Sequence, residues 1–252
     1  MIANTMLATF LAFCRIGTFL FFIPFMSGNV IPRMVKVTFG MAISLGVSGR
    51  IDVTTIETTP QLLFVVITQV GMGLALAKLV EFLMSIPKMA GTLMDFDLGF
   101  SMAQMMSPGS NTQATILANL LDIFFIIVFI AMNGLNSLIF VMVKSFDYTA
   151  SIAVLLDNSF MTLVASTLMF AMTTAIQIAL PLTGTIFILN IILVIMAKNA
   201  PQLNIFMNSF AVKITFGVLF VGLSVPTLGT LFQNLSTELL NQYVNMFNYF
   251  LE

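Results

Sequence analysis

The chain has 252 residues, 59% of them hydrophobic and 8% charged, with 9 Lys+Arg, 10 Asp+Glu and a net charge of -1. Soluble domains carry about a quarter of their residues as ions, so this chain has too few to coat a water-facing surface, and its mean hydropathy of +1.08 agrees. A near-neutral chain without a run of like charge also offers nucleic acid no electrostatic footprint.

These totals describe an integral membrane protein, and the spacing of its charges predicts how it crosses. Uncharged runs cover 16–32, 58–77, 98–121, 123–143, 158–197 and 214–237. About 20 apolar residues span a hydrocarbon core of ~30 Å, so most runs are one helix long. The expected fold is all-α and polytopic, with roughly six long, kinked hydrophobic helices arranged as hairpins and shorter pieces at 34–48 and 90–106. Strands are not expected, because the apolar-polar alternation of a membrane barrel is missing. The whole of 1–252 reads as a single membrane-embedded domain.

The first apolar stretch runs to Met26 without Lys or Arg before Phe13, so it lacks the basic start of a cleavable signal. Ser27 to Pro32 closes it, and Arg33 and Lys36 follow. The positive-inside bias then places the first loop in the cytoplasm. The segment Arg50 to Pro60 is a short polar connection, and Ile86-Pro87-Lys88 breaks the next helix. Ser107-Pro108-Gly109-Ser110-Asn111-Thr112 is the richest turn sequence in the chain. The 40-residue run 158–197 crosses twice or forms one long kinked element, with Pro181 and Gly184 near its middle. From Leu228, apolar residues at 231, 232, 235, 239, 243, 246, 247 and 250 mark one face of a C-terminal amphipathic helix over 227–252. Its other face is Gln and Asn without Lys or Arg, which suits a protein partner better than anionic lipid.

Enzymatic chemistry finds little to use. The chain has no His and one Cys, Cys14, which argues against Ser-His nucleophiles, the usual zinc sites and a disulfide framework. Asp95 and Asp97 are two apart and so point to different faces of a helix, unlike a facing carboxylate pair. Neither a cofactor nor a metal is expected. Charges inside apolar runs cost about 2.5 to 3.5 kcal/mol each on insertion scales and need a reason. Arg15 lies mid-helix. Lys78 and Glu81, three apart, can pair on one face. Asp122 is the most isolated: it belongs to an ion path, sits at a helix end beside the 107–113 loop, or pairs with Arg15 or Lys144. These four charges are expected to be intramembrane groups and partner contacts. Gly71/Ala75 and Gly73/Ala77 form small-xxx-small steps that permit close helix contact. Twenty Met residues, clustered at 84, 89, 94, 102, 105 and 106, are flexible and polarizable enough to seal irregular gaps.

Five motifs in order carry a resemblance. They are Cys14-Arg15-Ile16-Gly17 with Ile31-Pro32-Arg33-Met34-Val35-Lys36, then Gly91-Thr92-Leu93-Met94-Asp95-Phe96-Asp97-Leu98-Gly99-Phe100, then Phe129 to Asn133-Gly134. Ala200-Pro201-Gln202-Leu203-Asn204-Ile205-Phe206 follows, and Lys213 with Leu223-Ser224-Val225-Pro226 closes the series. Together they resemble the FliR/SctT family of type III export gate proteins over about residues 10–226. Asn133-Gly134 resembles the flagellar branch more than the virulence-injectisome branch. The resemblance implies a non-enzymatic subunit of the flagellar basal body in the bacterial inner membrane. It further implies assembly with FliP-like and FliQ-like subunits, FlhB and FlhA, around a channel for unfolded flagellar proteins. Residues 105–114 match the family's channel plug, with Met105, Met106, Ser107, Pro108, Gly109, Ser110, Asn111 and Thr112 at its centre. Asp122 has no firm counterpart in the family, and the tail after Pro226 does not align. The alternatives are an injectisome gate subunit and a small secondary transporter with broken helices.

Overall fold

The computed structural model describes residues 2–27, 31–51, 53, 58–100, 115–147, 158–199 and 205–249. Among them the chain is helical, with no strand. Among the described residues, eight helices of at least 11 residues carry the fold: α1 (Ile2–Phe22), α2 (Arg33–Val47), α3 (Thr59–Met84), α4 (Ile86–Leu98), α5 (Ile116–Ala131), α6 (Gly134–Lys144), α7 (Asn158–Asn199) and α8 (Ile205–Tyr249). The all-α, polytopic expectation holds. Four helices are long and apolar enough to cross a membrane: Asn4–Phe22, Thr59–Met84, Phe160–Asn199 and Ser209–Asn241. A fifth span is reached if the two helices either side of Asn133 count as one broken span. Among the described residues the count is thus four or five, against the roughly six long helices expected.

The helix boundaries explain the difference. Run 98–121 is not one helix, because α4 stops where Gly99 takes φ 84° and its N–H turns back to the carbonyls of Asp95 and Phe96. Only glycine adopts that backbone freely. Run 123–143 is interrupted at Asn133, whose φ of 58° is the one positive value among described non-glycine residues. Asparagine tolerates the left-handed region better than other side chains do. The helix of the 58–77 run ends at Met84, and Ser85 leads into α4 with Pro87 in its first turn, where its missing N–H costs nothing.

Proline acts differently in the two longest helices. Pro181 lies inside α7 and Pro226 inside α8, and neither divides its helix. Each removes a single N–H donor, whereas a full break in apolar surroundings would strand several backbone groups at once. The 158–197 run is thus one long element, and the C-terminal amphipathic segment is the continuation of α8.

Two compact units are built from these helices. One comprises Met1–Met84, Asn133–Leu168 and Thr237–Glu252. Within it α1 packs along α3 and α2, burying Leu11, Ala12, Ile16, Phe19 and Leu20 on α1 and Leu76, Ala77, Val80 and Leu83 on α3. Gly73 permits this closeness, since a Cβ there would meet the carbonyl oxygen of Arg15. The second step, Gly73/Ala77, is therefore a real helix contact. The other unit comprises Ser85–Met132 and Met169–Ser236. Its centre is α4 against α5, with Phe232 of α8 set edge-on to Phe125 at 5.5 Å between centroids and beside Phe124 at 5.4 Å.

Candidate functional site

The chain passes from α4 to α5 through residues 101–114, and the two helices are fastened to each other at that point. Asp95, three residues before the end of α4, is 4% exposed. Its Oδ1 accepts from the Leu117 N–H and its Oδ2 from the Ala118 N–H, both at 3.0 Å. Those N–H groups belong to the first turn of α5, which has no acceptor of its own. Gly91, one turn earlier on α4, lies against the Ala118 backbone with no room for a Cβ. On the far side, Leu98 and Gly99 meet Gly217 and the Phe210 ring of α8. The sequence reading places Asp95 two residues from Asp97 and within the Gly91–Phe100 motif, and gives it no role of its own.

The expected plug residues Met105, Met106, Ser107, Pro108, Gly109, Ser110, Asn111 and Thr112 lie outside the described residues, as do Pro201, Gln202 and Asn204. Lys213 is part-buried on α8. Gly134 is buried at the start of α6, where the Ser137 N–H donates to the Asn133 carbonyl at 3.2 Å.

Arg15 is the most elaborately held charge among the described residues. It is 1% exposed. Its Nε donates to Gln69 Oε1 at 2.7 Å, and its Nη1 to the Ser145 carbonyl at 2.6 Å and to Ser145 Oγ at 3.2 Å. The guanidinium also lies 4.3 Å from the centre of the Phe146 ring. Arg15 therefore ties α1 to α3 and to the Ser145–Asp147 turn that follows α6. The same turn is held from outside by Arg50 and Asp147 at 2.5 Å. Arg15, expected as an intramembrane charge, thus finds acceptors for Nε and Nη1 within its own chain. Lys78 and Glu81 pair at 2.6 Å, as their spacing predicts, with both side chains partly exposed. Asp122 stands in the second turn of α5, within the field of Lys88 on α4.

The family model of bacterial export proteins, family 1, matches residues 6–239. The chain belongs to that family. Its relatives include "Flagellar biosynthetic protein FliR" of Escherichia coli (strain K12), 27% identical over 222 residues, or 86% of this chain and 84% of the relative. The protein of the same name from Bacillus subtilis (strain 168) is 24% identical over 224 residues, 86% of each chain. "Surface presentation of antigens protein SpaR" of Shigella flexneri is 22% identical over 231 residues, 86% of this chain and 84% of the relative. The family resemblance drawn from the five motifs is borne out. As a bacterial export protein, the chain is a multi-pass component of the type III export apparatus, and flagellar names are the more numerous among its relatives.

Proposed function

We propose that this chain is a non-enzymatic subunit of the flagellar type III export gate in the bacterial inner membrane, helping to form and seal the channel for unfolded flagellar subunits. The family match over residues 6–239 carries the reading. Helix length supports an assembled state. At 1.5 Å per residue, the 42 residues of α7 have a contour of about 63 Å and the 45 of α8 about 68 Å, against a hydrocarbon core of ~30 Å. Apolar side chains stay exposed along both, among them Met169, Phe187, Val194, Leu219 and Leu223. Lipid can cover only part of that length, and water would oppose the rest. Further protein is the cover that fits, and FliP-like and FliQ-like subunits, with FlhB and FlhA beside them, are the partners this reading names. Residues 105–112 are its channel plug. The SpaR relatives favour a second reading, a gate subunit of the injectisome branch.

Purification of the tagged full chain in mild detergent, from cells carrying the other export genes, tests the assignment. FliP-like and FliQ-like chains should accompany it. A self-contained monomer or homo-oligomer would overturn the gate reading in favour of a small secondary transporter.

A further inference from the structure

A buried carboxylate on a short helix needs a use, and Asp95 has one that a local cap cannot supply. The N-terminus of α5 presents free N–H groups, and Thr115, in the N-cap place, makes no side-chain bond to them. The acceptors come instead from a residue 22 and 23 positions upstream, one oxygen to each of Leu117 and Ala118. Gly91 stands four residues before Asp95, on the same face of α4, and lets the Ala118 backbone come close. Glycine and aspartate thus form one joint: the first removes the bulk between the helices, and the second fixes the register once they meet. A carboxylate suits this place because it offers two acceptors and a negative charge to the positive end of the helix dipole. An amide of the same shape offers one acceptor and turns its NH2 group toward the other N–H.

We propose that Asp95 is a positioning residue for export: by capping α5 from α4 it sets where the chain enters α5, and export depends on that fixed entry. The role in export rests on the gate reading above; the cap itself does not.

The test uses the full chain expressed with the rest of the export apparatus, comparing wild type, Asp95→Asn and Asp95→Glu. Three quantities are measured: abundance of the assembled complex, export of flagellar subunits, and hydrogen exchange at Leu117 and Ala118. For Asp95→Asn, exchange at those two amides should rise about tenfold or more, since a charge-assisted bond to each is weakened. Export should be lost while the complex assembles at wild-type abundance. Asp95→Glu, which keeps the charge and both oxygens, should restore part of both. Unchanged exchange would overturn the cap. Faster exchange with normal export would overturn the positioning role. If both variants lose complex in step with export, Asp95 serves folding and the positioning role is overturned. A wild-type chain that supports no flagellar export would overturn the gate reading and this role with it, while the exchange comparison still reports on the cap.

Discussion

An arginine in an apolar helix is costly unless its donors are met, and the geometry at Arg15 matches the fork of a guanidinium better than the point charge of an ammonium. Nε and Nη1 diverge to Gln69 on α3 and to Ser145 after α6, while the flat face meets Phe146. Arg15→Lys should therefore lower stability by about 1.5 to 3 kcal/mol despite keeping the charge, read as a drop in the thermal midpoint of the detergent-solubilised complex. An unchanged midpoint would mean the cluster is incidental. Asn133 makes the opposite kind of demand, on backbone alone. With φ at 58°, Asn133→Gly should be tolerated, whereas Asn133→Val should cost about 1 to 2 kcal/mol. Equal effects of the two on complex abundance would show that the side chain matters and the conformation does not. Arg15 was legible in the sequence as a charge needing an explanation, but its partners lie 54 and 130 residues away. Asp95 was less legible still. Local caps leave a signature of neighbouring residue types, and a cap delivered from another helix leaves none.

Uncharged runs locate apolar helices because every charge in lipid is penalised, so charges gather where helices end or pair. They do not locate ends inside a run. Gly99 and Asn133 end helices through positive φ within stretches that read as continuously apolar, and Pro181, which reads as a kink or break, sits inside an unbroken helix, as does Pro226. The element-level question is how closely neighbouring helices pack. At Gly73 and Gly91 an added Cβ would strike backbone, which cannot swing aside as a side chain does. Gly73→Ala and Gly91→Ala should each destabilise by about 1 to 3 kcal/mol through forced separation of α1 from α3 and of α4 from α5. Gly46, with nothing within 4 Å of its Cβ position, provides the control: Gly46→Ala should leave the thermal midpoint within experimental scatter. A midpoint that falls equally for all three would point to membrane insertion rather than packing, because alanine favours a helix over glycine.

At the scale of the whole molecule, a channel wide enough for an unfolded polypeptide has to be closed at rest, or ions leak and the proton gradient collapses. A seal there must be apolar, compliant and able to move without tearing a helix. Residues 105–112 have that composition: Met105 and Met106 supply adaptable apolar bulk, and Ser107-Pro108-Gly109-Ser110 supplies turn residues that need no helical hydrogen bonds. Their place in the chain is also telling. They lie between α4 and α5 in sequence, and Asp95, Gly91 and Ala118 hold those two helices together directly. The proposed plug is therefore expected to be separable from the α4–α5 packing by mutation. Deleting 107–112, or changing Met105 and Met106 together to Ser, should leave the complex at normal abundance while the cells become permeable to small ions and solutes. Abundance is read by pull-down of the partner subunits, and permeability by the collapse of membrane potential and by sensitivity to small toxic solutes. Leakage that stays at the wild-type level in an assembled complex would remove these residues from the seal and leave them as a plain connection between helices.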